Sequence, residues 1–335
     1  MLALFYIFIA VAIGVSIWQI TRILNLRSVI ATDKDNNTQG KIFLVFMAGF
    51  YAMMIYCLIF MNVLMLPESA SFEGEHDDNL FNITFILIGI VQFVMQFLIF
   101  YFPYKYRGKK ENKALFFADS HKLEAIWTIT PAVVLVVLIG YGLWQWNNIM
   151  DLSDPEDPLV IEVYSKQFQW EARYAGEDNA LGRGNVNFIK GINTMGVDMS
   201  DLNAQDDKKV TELHLPKGRK VIFKFRSQDV LHSAYMPHFR AQMNCIPGMV
   251  TEFGFTPKFT TEEMREQSEV VAKTAVINEI RKEKGEDPYE FDYILLCNKI
   301  CGASHYGMQM KIIVEEEEAF NKWISEQPTL AEVIK

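Results

Sequence analysis

Residues 297–308 read Cys-Asn-Lys-Ile-Cys-Gly-Ala-Ser-His-Tyr-Gly-Met and place two thiols, an imidazole and a thioether on one short segment. Soft thiolates and thioethers select copper, zinc or iron–sulfur, and imidazole suits zinc and copper. A mononuclear blue-copper site takes one Cys, two His and a weak axial Met. Here Cys297 and Cys301 supply an additional sulfur, so two thiolates on one loop can bridge two metal ions. A second imidazole has to come from elsewhere, and His232, in the run Asp229-Val230-Leu231-His232-Ser233, is the natural candidate. Two plainer readings compete with copper. Cys297 and Cys301 can form a structural disulfide in an oxidising compartment, or a Cys2His2 zinc site can form without the thioether. The presence of Met308 favours copper over both. No C-x-x-C-H occurs in the sequence, so the pattern offers no attachment point for a c-type haem. The two remaining cysteines, Cys57 and Cys245, read as small apolar packing residues.

Such a loop needs a rigid frame, and the surrounding pattern is that of strands. Residues 159–163, 212–215 and 221–225 alternate apolar and polar, 167–174 are aromatic and extended, and 253–255 and 294–296 make further short runs. Pro216-Lys217-Gly218, Pro247-Gly248 and Gly302 punctuate them. The expectation is a Greek-key β-sandwich or barrel. Two stretches interrupt it. Residues 176–209 are polar and rich in Gly, Asn and Asp, and read as a long loop. Residues 260–287 are highly charged with helical spacing, and Val270, Val271, Ala275, Val276 and Ile280 mark one apolar stripe. A solvated helix covering the sandwich is the favoured reading, and a docking element for a neighbouring subunit the sharper one.

The first 150 residues belong to another environment. Four uncharged runs, 1–21, 42–66, 81–102 and 125–150, approach or exceed the roughly 20 residues that span a bilayer. The first lacks the basic start and the A-x-A-like site of a cleaved signal peptide, so it is expected to be a true span. Arg22, Arg27, Lys34 and Lys41 follow the first run, and Lys105, Arg107, Lys109, Lys110 and Lys113 the third, which places both loops on the cytoplasmic side. Glu68, Glu73, Glu75, Asp77 and Asp78 follow the second run, and Asp151, Asp154, Glu156 and Asp157 the fourth. The expected topology has the N-terminus outside, four crossings and the C-terminal domain outside. The formal net charge of -9 argues against nucleic acid as a partner and suits basic patches on a partner protein.

The segment Cys297 to Met308 resembles the CuA motif C-x-E-x-C-G-x-x-H-x-x-M of cytochrome c oxidase subunit II. The residues Asp229 to Ser233 resemble that family's first-histidine motif, Cys245-Ile246-Pro247-Gly248-Met249 its following turn, and Leu123 to Pro131 the start of its second membrane helix. The likeness runs over roughly residues 80–325 in the family's order. It implies a helical membrane anchor and an all-β, cupredoxin-like Greek-key domain at 158–325, with inserts near 176–209 and 260–287. The transmembrane hairpin typical of subunit II falls at 80–150, and residues 1–66 add two further helices.

The resemblance also implies roles. His232 and Met308 would complete one copper and His305 the other, Cys297 and Cys301 would bridge both, and the carbonyl of Lys299 would face the second. The family's residue at 299 is usually Glu, whose side chain joins a magnesium site at the subunit I interface; Lys299 puts that magnesium in doubt. The position of the family's electron-receiving Trp is Phe168 here, with Trp170 nearby, and Glu124 matches an acidic residue near the mouth of a proton channel. The implied partners are oxidase subunits I and III, a cytochrome c or tethered cytochrome domain, and the lipid bilayer of a bacterial inner membrane. The two extra helices and the charged insert suggest a supercomplex with a quinol-oxidising complex such as alternative complex III. Two rivals stand beside this reading: a copper-delivery protein of the Sco type, and a copper-free quinol oxidase subunit II.

Overall fold

The computed structural model describes residues 2–24, 32–61, 65–153 and 156–334. Arg27 and Asp154, both used to orient the expected topology, lie outside the described residues, as do residues 62–64 of the second expected span. The chain divides into two compact units: Met1–Tyr56 with Ile88–Ser120, and Cys57–Leu87 with His121–Lys335.

Among the described residues four helices precede the strands: α1 (Leu2–Leu24), α2 (Asp33–Phe60), α3 (Phe72–Lys105) and α4 (His121–Met150). The last three are long and apolar enough to cross a membrane, and among the described residues of α1 the apolar run is Phe5–Thr21. In the first unit α2 packs along the second half of α3. The Tyr51 hydroxyl donates to the Phe93 carbonyl at 2.6 Å, and their rings stack at 5.2 Å. Cys57 is exposed on α2 and is not a core residue. Apolar neighbours in sequence imply burial only where the surroundings are water, and a membrane helix is apolar on every side.

Among its described residues the second unit carries ten strands in two five-stranded sheets. The first runs β3 (Lys208–Val210), β2 (Gln169–Tyr174), β1 (Leu159–Lys166), β5 (Val221–Ser227), β8 (Thr251–Phe255). The second runs β4 (Leu213–Pro216), β10 (Gln309–Glu315), β9 (Tyr293–Cys297), β6 (His232–Met236), β7 (Ala241–Cys245). Between them lie buried Phe223, Phe225, Phe255, Tyr293 and Leu295, with Phe239 from the turn between β6 and β7. Phe239 stacks on Phe255 at 4.6 Å and meets Tyr293 at 4.7 Å, so aromatic contact joins the layers. Every expected strand is present. Four more, β3, β6, β7 and β10, were not read from sequence. β6 (His-Ser-Ala-Tyr-Met) and β7 (Ala-Gln-Met-Asn-Cys) lack the β-branched residues that mark a strand.

The two interruptions fold differently from each other. Residues 176–209 make an ordered lobe around Met195, Val197 and Ala204, packed with Tyr164 and Leu330. A buried charge network ties it down. Arg173 bonds Glu162 at 2.7 Å and Asp207 at 2.6 Å, and Arg226 pairs with the other oxygen of Glu162 while donating to the Met195 carbonyl at 3.0 Å. Burial raises the Glu162 carboxyl, but the two guanidiniums outweigh it and hold the group below its usual range. The second interruption forms α5 (Thr261–Glu266), closed by a capping box from Thr260 and Glu263, and α6 (Ser268–Lys284). Only Val270 of the expected stripe is buried; Val271, Val276 and Ile280 stand about half exposed. α6 therefore does not cover the sandwich with that stripe.

The segment between α2 and α3 is built into the β-sandwich. The Ala70 N–H donates to the His238 carbonyl at 2.7 Å, the Lys258 N–H to the Ala70 carbonyl at 2.7 Å, and the Ser71 hydroxyl to the Phe239 carbonyl at 2.7 Å. Lys220 pairs with Glu73 at 2.7 Å, and Arg240 grips Asp78 through Nε and Nη2 at 2.7 and 2.8 Å. A Cβ on Gly74 would stand 2.1 Å from Ser69 Oγ and 2.9 Å from the Arg240 side chain, so only glycine fits at this close approach.

Candidate metal centre

Strand pairing assembles the site. β9 ends at Cys297 and β10 begins at Gln309, next to Leu296 in the antiparallel register, so residues 297–308 form the loop joining two neighbouring strands. β6 lies on the other side of β9 with Ala234 opposite Cys297, which brings His232 beside the loop.

The donors converge as that topology requires. Cys297 Sγ lies 3.8 Å from Cys301 Sγ, 3.7 Å from His232 Nδ1 and 3.2 Å from the Lys299 carbonyl oxygen. Cys301 Sγ lies 3.6 Å from His305 Nδ1 and 3.9 Å from Met308 Sδ. The sulfurs are nearly twice the ~2.05 Å disulfide bond length apart, so the cysteines are free thiols. All six residues expected at the site are therefore together. The ligand atoms of His232, Cys297 and Cys301 lie within 4.8 Å of one another, and all three residues are buried. Burial pushes the Cys301 thiol up to about 11, with the neighbouring Cys297 adding to it. The set holds two thiols, two imidazoles, a thioether and a carbonyl, with no carboxylate. It fits soft or borderline ions and is unsuited to calcium or magnesium.

Surrounding groups fix these donors. His232 Nε2 lies 2.9 Å from Asp229 Oδ1, and Asp229 also accepts the N–H groups of Val230 at 2.7 Å and Gln167 at 2.8 Å. Burial raises the Asp229 carboxyl, but those bonds outweigh it and hold it below the usual range. A carboxylate on the far nitrogen of a ligating imidazole sets its tautomer and ring orientation. Trp170 is buried beneath, its Nε1 donating to the Met308 carbonyl at 3.3 Å and its ring edge-on to His232 at 6.2 Å. Phe168 packs on the backbone after Cys301: a Cβ on Gly302, at φ +145°, would stand 2.8 Å from its ring. Gln167 Nε2 donates to the Cys301 carbonyl. Sequence reasoning singled out Phe168 and Trp170 but assigned no role to Asp229 or Gln167. The Asp-x-x-His spacing at 229–232 was the available signal.

Two residues lie elsewhere or point away. Glu124 sits in the first turn of α4, exposed, with His121 Nδ1 3.4 Å away. Lys299 offers its carbonyl inward and is exposed.

Apolar helices joined to a β-sandwich that gathers two thiols, a thioether and two imidazoles, one of them from the neighbouring strand β6, define a membrane-anchored protein with a candidate soft-metal centre. The sequence profile described as "Cytochrome C oxidase subunit II, transmembrane domain" matches residues 59–143. The "Alternative cytochrome c oxidase subunit 2" of Bradyrhizobium diazoefficiens is 32% identical over 260 residues, covering 77% of this chain and 82% of that one. The "Cytochrome c oxidase subunit 2" of Thermostichus vulcanus is 23% identical over 293 residues, covering 80% of each. Among solved structures, the periplasmic domain of subunit II of cytochrome oxidase of Bradyrhizobium japonicum aligns at 20% identity and a TM-score of 0.31, over 51% of this chain and 94% of that one. The chain belongs to the cytochrome c oxidase subunit II family. It is thus a subunit of a membrane-bound haem–copper oxidoreductase, with a cupredoxin-like domain.

Proposed function

We propose that this subunit receives single electrons from a cytochrome c at a binuclear copper centre of the CuA type and hands them to haem in subunit I. Oxygen reduction to water, coupled to proton translocation, then takes place in that neighbour. The carrying observation is the convergence of His232, Cys297, the Lys299 carbonyl, Cys301, His305 and Met308 on one loop and one adjacent strand. A copper pair bound there supplies reversible one-electron chemistry with little change in geometry. The chain's own part is to keep its donors from moving: two strand ends hold the loop, and Asp229 and Trp170 brace His232 and Met308. The burial of Cys297, Cys301 and Met308 keeps bulk water from the sulfurs.

Subunits I and III and a cytochrome c are the proposed partners, with the domain on the periplasmic face of a bacterial inner membrane and α1 as a fourth span. Glu124 is proposed to stand at the mouth of a proton channel. At the subunit I interface Lys299 contributes no carboxylate, so magnesium there gains no side-chain ligand from this chain. The Sco-type reading needs a thioredoxin-like fold, and the two stacked sheets do not support it. The copper-free quinol oxidase reading is disfavoured because every donor side chain is retained.

Copper content and the near-infrared mixed-valence band of the purified oxidase test the proposal. Two coppers per subunit II, with a band lost in Cys297→Ser and in Cys301→Ser, are the expected result. Zinc in place of copper, or an unchanged spectrum in either variant, sinks it.

A further inference from the structure

A groove of about 980 Å³ lies between α1 and α2 in the first unit, with Phe100 of α3 at its flank. The proposed electron path makes no use of it. Its walls change character along its length. Gln19, Thr38 and Lys41 line one end, whereas Phe8, Val11, Val15, Val45 and Phe46 line the remainder. The polar end lies where α1 finishes and α2 begins. There Gln19 and Gln39 exchange side-chain hydrogen bonds of 3.0 and 2.9 Å. Each amide gives one N–H to the other and keeps a second donor. Trp18 lines the groove at the same level, in keeping with the aromatic belt of a membrane–water boundary.

The dimensions are informative. From Phe8 to Gln19 a helix rises about 16 Å, which is roughly half of a ~30 Å hydrocarbon core. The groove is therefore one leaflet deep and amphipathic along its axis. A neighbouring subunit's transmembrane helix needs a seat that runs the full thickness. At Gly49, on the apolar wall, a Cβ would meet nothing within 4 Å, so the groove is open there. Lys41 adds a compact ammonium at the polar end, on the side where the sequence concentrates Lys34, Lys105, Arg107, Lys109 and Lys110. The complement of this surface is a molecule with an apolar tail one leaflet long and a negatively charged, hydrogen-bond-accepting head.

We propose that the groove seats one anionic phospholipid of the leaflet on the basic-loop side. Its phosphate meets Lys41 and the spare amide donor of Gln19, and an acyl chain lies along Val15, Val11 and Phe8. The proposal rests on the reading of α1 and α2 as neighbouring spans. A quinol fits the apolar wall equally well but carries no charge for Lys41.

The test uses the intact oxidase, delipidated in mild detergent and titrated with phosphatidylglycerol or phosphatidylcholine of the same acyl chains, with adducts counted by native mass spectrometry. Phosphatidylglycerol is expected to be retained about fivefold better, the equivalent of one basic side chain at a lipid surface. Lys41→Glu should remove that preference, and Gly49→Leu, which fills the apolar wall, should reduce retention of both lipids. A photoreactive side chain at Val45 should capture lipid. Equal retention of the two lipids overturns the proposal. So do unchanged adducts in both variants, a quinone recovered with the purified complex, or a protein cross-link at Val45. Alkylation of single cysteines placed along α1 reads its membrane crossing separately. An α1 outside the bilayer sinks the four-span reading and the groove together, and a spanning α1 with no lipid preference sinks the groove alone.

Discussion

Replacing Arg240 should loosen the joint between α3 and the β-sandwich domain. The Arg240 side chain is 14% exposed and its guanidinium makes four contacts: Asp78 Oδ1 and Oδ2 at 2.7 and 2.8 Å, the Pro67 carbonyl at 2.7 Å and the Pro237 carbonyl at 3.1 Å. Hydrogen bonds to charged groups are worth about 1.5–3 kcal/mol each, and leaving a fully buried charge unpaired costs about 3–5 kcal/mol. Asp78 keeps 32% of its side chain in contact with water, so the lower part of that range applies, about 2–3 kcal/mol for Arg240→Ala. A domain of this size shifts its melting point by about 2–4 °C per kcal/mol, which gives roughly 4–12 °C. Backbone conformation supplies an internal control. Arg240 sits at φ 55°, in the left-handed region, where a Cβ costs about 1–2 kcal/mol. Arg240→Gly should therefore lose less stability than Arg240→Ala despite being the larger truncation. The assay is thermal unfolding of the detergent-solubilised oxidase, with Asp78→Ala and the double variant completing a cycle. The reasoning fails if Arg240→Ala shifts the midpoint by less than about 2 °C, or if the two single effects simply add.

Three further outcomes are expected. Asp229→Ala removes the carboxylate from His232 Nε2 and should weaken metal retention about 10–100-fold, as loss of an orienting partner typically does; copper content after dialysis against a chelator measures it, and wild-type retention refutes it. His238 is pushed down to about 4 from 6.5 by burial, with Arg240 and Lys273 adding to it, and its Nδ1 is buried without a partner. The folded chain keeps this ring neutral while the unfolded chain protonates it, so stability is full above pH 6.5 and is lost as pH falls toward 4. His238→Phe should flatten that part of the melting-point profile, and parallel profiles refute the assignment. Last, a docked donor of electrons should tolerate salt, because its effective concentration is set by its tether. Quinol-driven oxygen uptake in gently solubilised membranes should persist from 0.01 to 0.15 M salt, over which the Debye length falls from roughly 30 Å to about 8 Å. Collapse with salt and rescue by soluble cytochrome c excludes the supercomplex.

The site was legible in the sequence because its donors are rare residue types crowded on one loop. Cys297, Cys301, His305 and Met308 sit on a single strand connection, so spacing alone nearly fixes their proximity. His232, the candidate donor distant in sequence, carried a weaker signal. Its place beside Cys297 depends on β6 pairing with β9, and β6 has the composition of a loop. Asp229 was passed over for a different reason: apart from its spacing to His232, a carboxylate that holds an imidazole looks in sequence like any surface acid. The lobe at 176–209 was read as a loop because its order comes from Arg173, Glu162, Asp207 and Arg226, charged residues whose burial no local pattern announces. The acidic segment after α2 shows the same limit in its clearest form. Glu68, Glu73, Glu75, Asp77 and Asp78 oriented the expected topology as an outer loop. Yet Lys258, Lys220 and Arg240 claim four of them, Glu68, Glu73, Glu75 and Asp78. Charge alone gave the expected side of the membrane; the basic partners, some 150 or more residues later in the chain, make that segment a structural joint. A soluble form of the domain that begins after α4 lacks this joint. It should be less stable than the same domain with a peptide of residues 65–80 supplied in trans, and equal melting points with and without the peptide would show the joint to be dispensable.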